Sequence, residues 1–179
     1  MNLLMKYCFF DSDITDMNPF AEYDIVGEQY KQLIKICCVY SDYLSFTFMN
    51  DNVKLIDELE PYIISDNSLE FDYSVNYSIE LELKPYKQYY RVCKEVCDIL
   101  LKHTDRIFSW ICGGGYNNPE DIAFYRTDKT PFFYSIIHEG VCVILPNDNE
   151  NVECIISNPL WIPETELKDG YWGAYLGFC

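Results

Sequence analysis

Positive charge is scarce in this chain. Its 179 residues hold 13 Lys and Arg against 29 Asp and Glu, a formal net charge of −16. A surface so poor in cations does not neutralise phosphates, which argues against nucleic acid as a partner. Histidine is scarcer still, with two residues, and the nine cysteines include no C-x-x-C pair. The usual zinc-knuckle and dithiol signatures are therefore missing, and neither metal nor cofactor is expected. No apolar run approaches the roughly 20 residues of a transmembrane helix, so no membrane partner is expected either. At the N-terminus, MNLLMKYCFFDSD is interrupted by Lys6 and followed by Asp11 and Asp13. A signal peptide needs an unbroken apolar stretch, so this segment reads as a strand over 3–10. An odd number of cysteines in apolar contexts fits a reducing, cytoplasmic setting, with thiols packed as small hydrophobes.

What is present is apolar and aromatic. Hydrophobic residues make up 49% and aromatics 17%, including 16 tyrosines. That excludes a disordered acidic tail, because such tails lack the apolar groups that offset chain entropy. The length suits one domain, 1–179, able to bury about 70% of its unfolded surface.

Periodicity sketches an α+β fold. Asn18 and Pro19 offer helix-start chemistry, and Val26, Tyr30, Leu33, Ile34 and Cys37 recur at helical spacing, predicting a helix over 19–40 that Gly27 weakens. Residues 44–49 read as a strand. VKLIDELE reads as a short helix or turn stopped by Pro61. From Leu69 to Leu83 apolar and polar residues alternate strictly, which predicts a strand with one wet face. Unbroken, it would span about 50 Å, against a radius of gyration near 16 Å, so it must bend or break near Ser74–Ser78. Pro85 is expected to open a second helix carrying Tyr89, Val92, Cys93, Val96, Cys97 and Leu100. Strands RIFSWIC, IAFYR, PFFYSII and VCVIL follow as a meander, with Gly140 left-handed in the last turn. ECIIS suits a strand or a short helix, and YWGAYLGFC a final strand. The expected architecture is a mostly antiparallel sheet with two main helices on one face.

Charge is unevenly placed. Residues 1–83 carry net −12, residues 84–106 net +3 and residues 107–179 net −7. Glu70, Asp72, Glu80 and Glu82 share the wet face of the predicted strand. With Tyr116, Glu120 and Asp121 they form the candidate binding set, since acidic surfaces steer basic partners and tyrosine gives contact area at low entropy cost.

The stretch Cys112-Gly-Gly-Gly-Tyr-Asn-Asn-Pro-Glu-Asp121 is the alternative centre. Glycines after a strand permit close backbone approach to a ligand, although no Walker lysine and no G-x-G-x-x-G accompany them. Cys112 and His138 form a candidate thiol–imidazole pair, oriented by Asp121 or Glu139, in a small ligand-binding or cysteine-dependent enzyme domain. His103, after the second helix, is expected to play a structural part.

The block PEDIAFYR–PFFYSIIHEG resembles short β-meander blocks of small bacterial proteins. As a small acidic chain without catalytic signature, the protein also resembles the immunity proteins of bacterial toxin systems. That class is too diverse to transfer any residue. What it implies is a non-enzymatic, cytoplasmic protein that binds a basic toxin domain.

Overall fold

The computed structural model describes residues 6–10, 24–49, 53, 56–66, 71, 85–113 and 115–166. The regular elements, in chain order, are β1 (Tyr7–Phe10), α1 (Glu28–Tyr40), β2 (Tyr43–Phe48), β3 (Tyr86–Arg91), α2 (Lys94–His103), β4 (Cys112–Gly113), β5 (Tyr116–Asn117), β6 (Glu120–Tyr125), β7 (Pro131–Ile136), β8 (Val141–Ile144), α3 (Glu153–Ile156) and β9 (Trp161–Pro163). The fold class is α+β. Seven strands form one sheet in the order β3-β2-β6-β7-β8-β1-β9, and β4 and β5 form a separate ribbon. Every pairing in the large sheet is antiparallel.

Strand alternation divides the core. Phe9, Leu44, Phe46, Ile122, Phe124, Phe133, Cys142 and Ile144 join Tyr30, Leu33, Ile34 and Cys37 of α1 and Val96 and Leu100 of α2 in one apolar cluster. Their strand neighbours Cys8, Ala123, Tyr125, Tyr134, Val141 and Val143 form a second cluster with Tyr43, Phe71 and Tyr89. Period-two side-chain direction puts successive residues of one strand into different clusters. Phe71 stacks on Tyr89 at 4.2 Å within the second cluster.

Several expectations meet a different local outcome. Helix α1 begins at Glu28, and Gly27 precedes it with φ +58°. A left-handed residue cannot sit inside an α-helix, so Val26 leaves the stripe and bridges to Arg106 instead. The backbone is held there by Gly27 N–H to Asp105 O (2.7 Å) and Ile107 N–H to Ile25 O (3.1 Å). Residues 86–91, expected in a helix opened by Pro85, form edge strand β3 and pair residue for residue with Tyr43–Phe48. Consecutive tyrosines suit a sheet covered on both sides: Tyr90 enters the first cluster and Tyr89 the second. Helix α2 then starts only at Lys94.

RIFSWIC is not a strand. Ile107–Ser109 form a 3-10 turn, because the Ser109 hydroxyl bonds Arg106 O (3.0 Å) and Thr104 Oγ1 (2.6 Å), local bonds that compete with a ladder. The 3-10 helix Asp57–Tyr62 carries Pro61 within it rather than ending at it. ECIIS resolves as short helix α3. Gly140 has the expected left-handed φ of 62°. Strand β9, unanticipated, pairs with β1. The alternating strand at 69–83, apart from Phe71, and the tail 171–179 lie outside the described residues. Among the described residues no helix is long and apolar enough to cross a membrane.

One buried ion pair closes the sheet where β6 ends. Arg126 Nε and Nη2 meet the two Glu150 carboxylate oxygens at 2.7 and 2.6 Å. The same guanidinium donates to Pro131 O (2.6 Å) and Leu145 O (2.5 Å) and lies 5.3 Å from the Phe132 ring centre. Both side chains are nearly buried, at 11% and 10% exposure. Removing one partner leaves the other charge dry and unpaired. Arg126→Ala should therefore lower unfolding free energy by about 3–5 kcal/mol in denaturant titration. A loss below about 1 kcal/mol would show that water screens the pair.

Candidate functional site

The glycine-rich stretch folds as a ribbon tied down by the Glu120 carboxylate, while the next residue, Asp121, ties the β7–β8 turn. Cys112–Gly113 pair with Tyr116–Asn117 across a tight turn. Gly115 in that turn has φ +94°, a conformation L side chains rarely adopt, and open space around it. Beyond the ribbon the chain enters β6 at Glu120, whose side chain is 1% exposed. One Glu120 oxygen accepts the Cys112 backbone N–H at 2.8 Å and the other meets His138 Nε2 at 2.7 Å. The His138 imidazole is itself 47% exposed. Its ring is thus held in one orientation by a buried carboxyl group while part of it faces solvent.

Asp121 performs a second tie. Its backbone has φ +51°, uncommon outside glycine but tolerated best by Asn and Asp. Its Oδ1 accepts the Ile137 N–H at 2.9 Å. Its Oδ2 is buried and accepts no hydrogen bond among the described residues. Burial pushes the Asp121 carboxyl up to about 6, opposed by the Ile137 bond and the nearby His138 charge. Both acids thus reach the 3-10 turn Ile137–Glu139 that joins β7 to β8.

The chemistry expected at this stretch is distributed accordingly. The carboxylate on His138 is Glu120, whereas Asp121 holds a backbone amide. The Cys112 thiol donates to Asn117 Oδ1 at 3.9 Å. Tyr116 stands 41% exposed at the ribbon. Glu120 and Asp121, grouped with the surface acids by sequence, are buried inside the fold. Glu70, Asp72, Glu80 and Glu82 lie outside the described residues. His103, at the end of α2, bonds Asn118 Oδ1 at 2.9 Å and stacks on Trp110 at 5.1 Å. Both histidines therefore border the 112–121 segment. Sequence offered no signal for that, because their partners are distant in the chain.

A second polar feature escaped the sequence reading. A cavity of about 320 Å³ lies between α1 and the α3–β9 connection, lined by Ile25, Gln29, Leu33, Ser157, Asn158 and Trp161 among others. Its amide rim would suit hydrogen-bonding ligands.

The described cations are mostly occupied within the molecule. Lys102 reaches Glu58 of the acidic 3-10 helix at 3.6 Å, Lys94 pairs with Asp98 at 2.7 Å, and Lys31 with Glu28 at 3.6 Å. Exposed pairs like these contribute little stability. Their significance is that the basic segment meets acids at home and leaves a large anionic excess.

Comparison with protein-family models, curated proteins and solved structures finds no match for the chain.

The raised Asp121 carboxyl has a pH signature. An acid that binds its proton more readily folded than unfolded stabilises the fold fully below its unfolded value near 3.8, and that contribution is lost as pH rises through about 6. Asp24, half-buried beside the Phe108 and Ile107 amides, is also raised to about 6 by desolvation and acts in the same direction. Asp121→Asn keeps the acceptor for Ile137 and tolerates positive φ. It should flatten, without abolishing, the fall in unfolding free energy between about pH 4 and pH 6. Superimposable profiles of variant and parent would rule out the assignment.

Proposed function

We propose that the chain is a non-enzymatic binding domain that holds a basic protein through an acidic, tyrosine-bearing surface. The finer form of this reading is an immunity-type inhibitor covering the active site of a basic bacterial toxin domain. The observation that carries it is the anionic excess of −16; Lys6, Lys31, Lys94, Lys102, Arg106 and Arg126 meanwhile pair with acids of the same chain. Such a field accelerates encounter with cationic surfaces and repels acidic ones. Exposed Tyr116 and Tyr86 supply rigid amphipathic contact area. Glu120 contributes by supporting the ribbon that presents Tyr116 and Asp121 by fixing the adjoining β7–β8 turn, while Glu70, Asp72, Glu80 and Glu82 supply charge.

A second reading rests on the Glu120 carboxylate, which joins His138 at 2.7 Å to the Cys112 backbone at 2.8 Å. A buried acid orienting a half-exposed imidazole beside a thiol-bearing turn is the arrangement a cysteine-dependent enzyme or small-ligand site would use. It predicts a titratable requirement for His138, whereas the binding reading does not.

The test is retention of proteins from the source cells on the tagged chain at low salt, followed by affinity measurement at about 50 and about 300 mM NaCl. The expected partner is basic and loses at least about tenfold in affinity across that range. Glu80→Lys combined with Glu82→Lys should slow association by about tenfold and leave dissociation nearly unchanged. A partner whose affinity ignores salt removes the electrostatic reading. Loss of binding in His138→Gln with salt dependence absent would favour the second.

A further inference from the structure

The cavity between α1 and the α3–β9 connection has two walls of matching rhythm. Gln29, Gln32 and Leu33 line it from α1, at the i, i+3 and i+4 positions of a single helix stripe. Cys154, Ser157 and Asn158 line it from the facing chain with the same spacing. That second wall is wound by Ser157 N–H to Glu153 O (2.9 Å) and Asn158 N–H to Ile155 O (3.2 Å). Past Cys154 and Ser157 a more open hollow of about 530 Å³ adjoins the cavity and takes in Ile36, the next residue of the α1 stripe. A ring seated in the inner part therefore has room for substituents that run toward solvent.

Depth sorts the lining by chemistry. Ile25, Leu33, Ile155 and Trp161 are buried and give an apolar base, whereas Gln29 and Ser157 are exposed and Gln32 and Asn158 half-buried at the rim. The base is preformed. Trp161 pairs with Phe9 across the β1–β9 ladder, and their rings pack with centroids 5.6 Å apart. Part of the rim is oriented too. Asn158 Oδ1 accepts the Leu160 N–H at 3.0 Å, which leaves its amide nitrogen to donate. The Ser157 hydroxyl donates to Cys154 O at 3.3 Å, which leaves its oxygen to accept. Gln29 and Gln32 each bring a donor and an acceptor. Among the described residues, none that lines the inner cavity carries a charge.

This lining selects by exclusion as well as by fit. A phosphate or carboxylate calls for Lys or Arg, which the wall lacks, and the net charge of −16 repels anions. A cation drawn into the base would find no carboxylate to replace its water. What the wall satisfies is a neutral molecule with one apolar face and an edge of groups that both donate and accept. We infer that the cavity between α1 and the α3–β9 connection binds a neutral pyranose sugar. The C–H face of the ring lies on Trp161, because the negative face of an indole attracts C–H dipoles. Its hydroxyls, each a donor and an acceptor, meet Gln29, Gln32, Ser157 and Asn158. An apolar base with a few placed polar groups is the usual build of a small-molecule site. The site shares no residue with the acidic binding set or with the 112–121 ribbon, so it stands whether or not the proposed function holds.

The test is saturation-transfer NMR on the full chain with glucose, galactose, mannose, N-acetylglucosamine, cellobiose, lactose and chitobiose. The expected result is saturable binding of at least one of these sugars with Kd at or below about 1 mM, not displaced by glucose 6-phosphate or gluconate. Bound sugar should slow alkylation of exposed Cys154 by iodoacetamide at least about threefold, since a seated ligand covers its pocket wall. Alkylation is read in tryptic peptide 130–168. Gln29→Ala combined with Gln32→Ala keeps the helix, because alanine is its best former, and should leave the melting temperature unchanged. The same pair should weaken the sugar at least about tenfold through lost hydrogen bonds. The measurements on the unaltered chain do not depend on how the variant folds. Absence of binding by every sugar up to about 10 mM overturns the inference. So does binding that leaves Cys154 alkylation or the affinity of the glutamine variant unchanged, and so does preference for the phosphorylated sugar.

Discussion

Strand β6 is buried along its whole length, from Glu120 through Tyr125, so the sheet is dry on both faces at its centre. Most polar groups at its two ends find partners inside the protein, although the buried Asp121 Oδ2 accepts no hydrogen bond among the described residues. At its start, Glu120 and Asp121 find the Cys112 amide, His138 and the Ile137 amide. At its last residue, the Tyr125 hydroxyl lies 3.3 Å from Ser45 Oγ on the neighbouring strand. Just past its end, Arg126 is bound by Glu150 and two carbonyls. The strand is an apolar rod with fixed charge at both tips. Each tip recruits a different loop, so the ribbon, the β7–β8 turn and the approach to α3 are all placed by it.

The helices answer the same constraint from one cluster. Tyr30, Leu33, Ile34 and Cys37 present a single apolar stripe, and Val96 and Leu100 a shorter one. Tyr30 adds a polar element to this contact, donating to Leu100 O at 3.3 Å and accepting from the Trp110 indole at the same distance. An unpaired hydroxyl at that depth would be costly, so these bonds fix how far α2 can slide along α1.

Legibility followed the range of the forces involved. The α1 stripe, the β6–β7–β8 meander and the left-handed Gly140 are set by neighbours a few residues away, and sequence exposed them. The fate of residues 86–91 was hidden because a tyrosine-rich segment serves helix or strand equally until β2 offers it a ladder. The start of α1 was hidden because Gly27 looks like a mild weakness, when it is the hinge that lets residues 25–27 bond to 105–107. At the site, Cys112, His138 and Asp121 were legible as residue types. What sequence could not show was Glu120 as the common partner, since an acidic chain makes every carboxylate look like surface. In such a chain the informative acids are the few that go inside.

Strand β1 lies between β8 and β9, and this order has a consequence for synthesis. Residues 7–10 are made well before their two ladder partners at 141–144 and 161–163. Until those are made, β1 is an exposed apolar segment with both edges open, a condition that invites pairing with other chains. The sheet closes by its slowest and longest-range contacts, at a high contact order. Translation of this protein therefore carries a window of vulnerability set by topology rather than by stability, and a cell that makes it in quantity must shield β1 until β8 and β9 have been delivered.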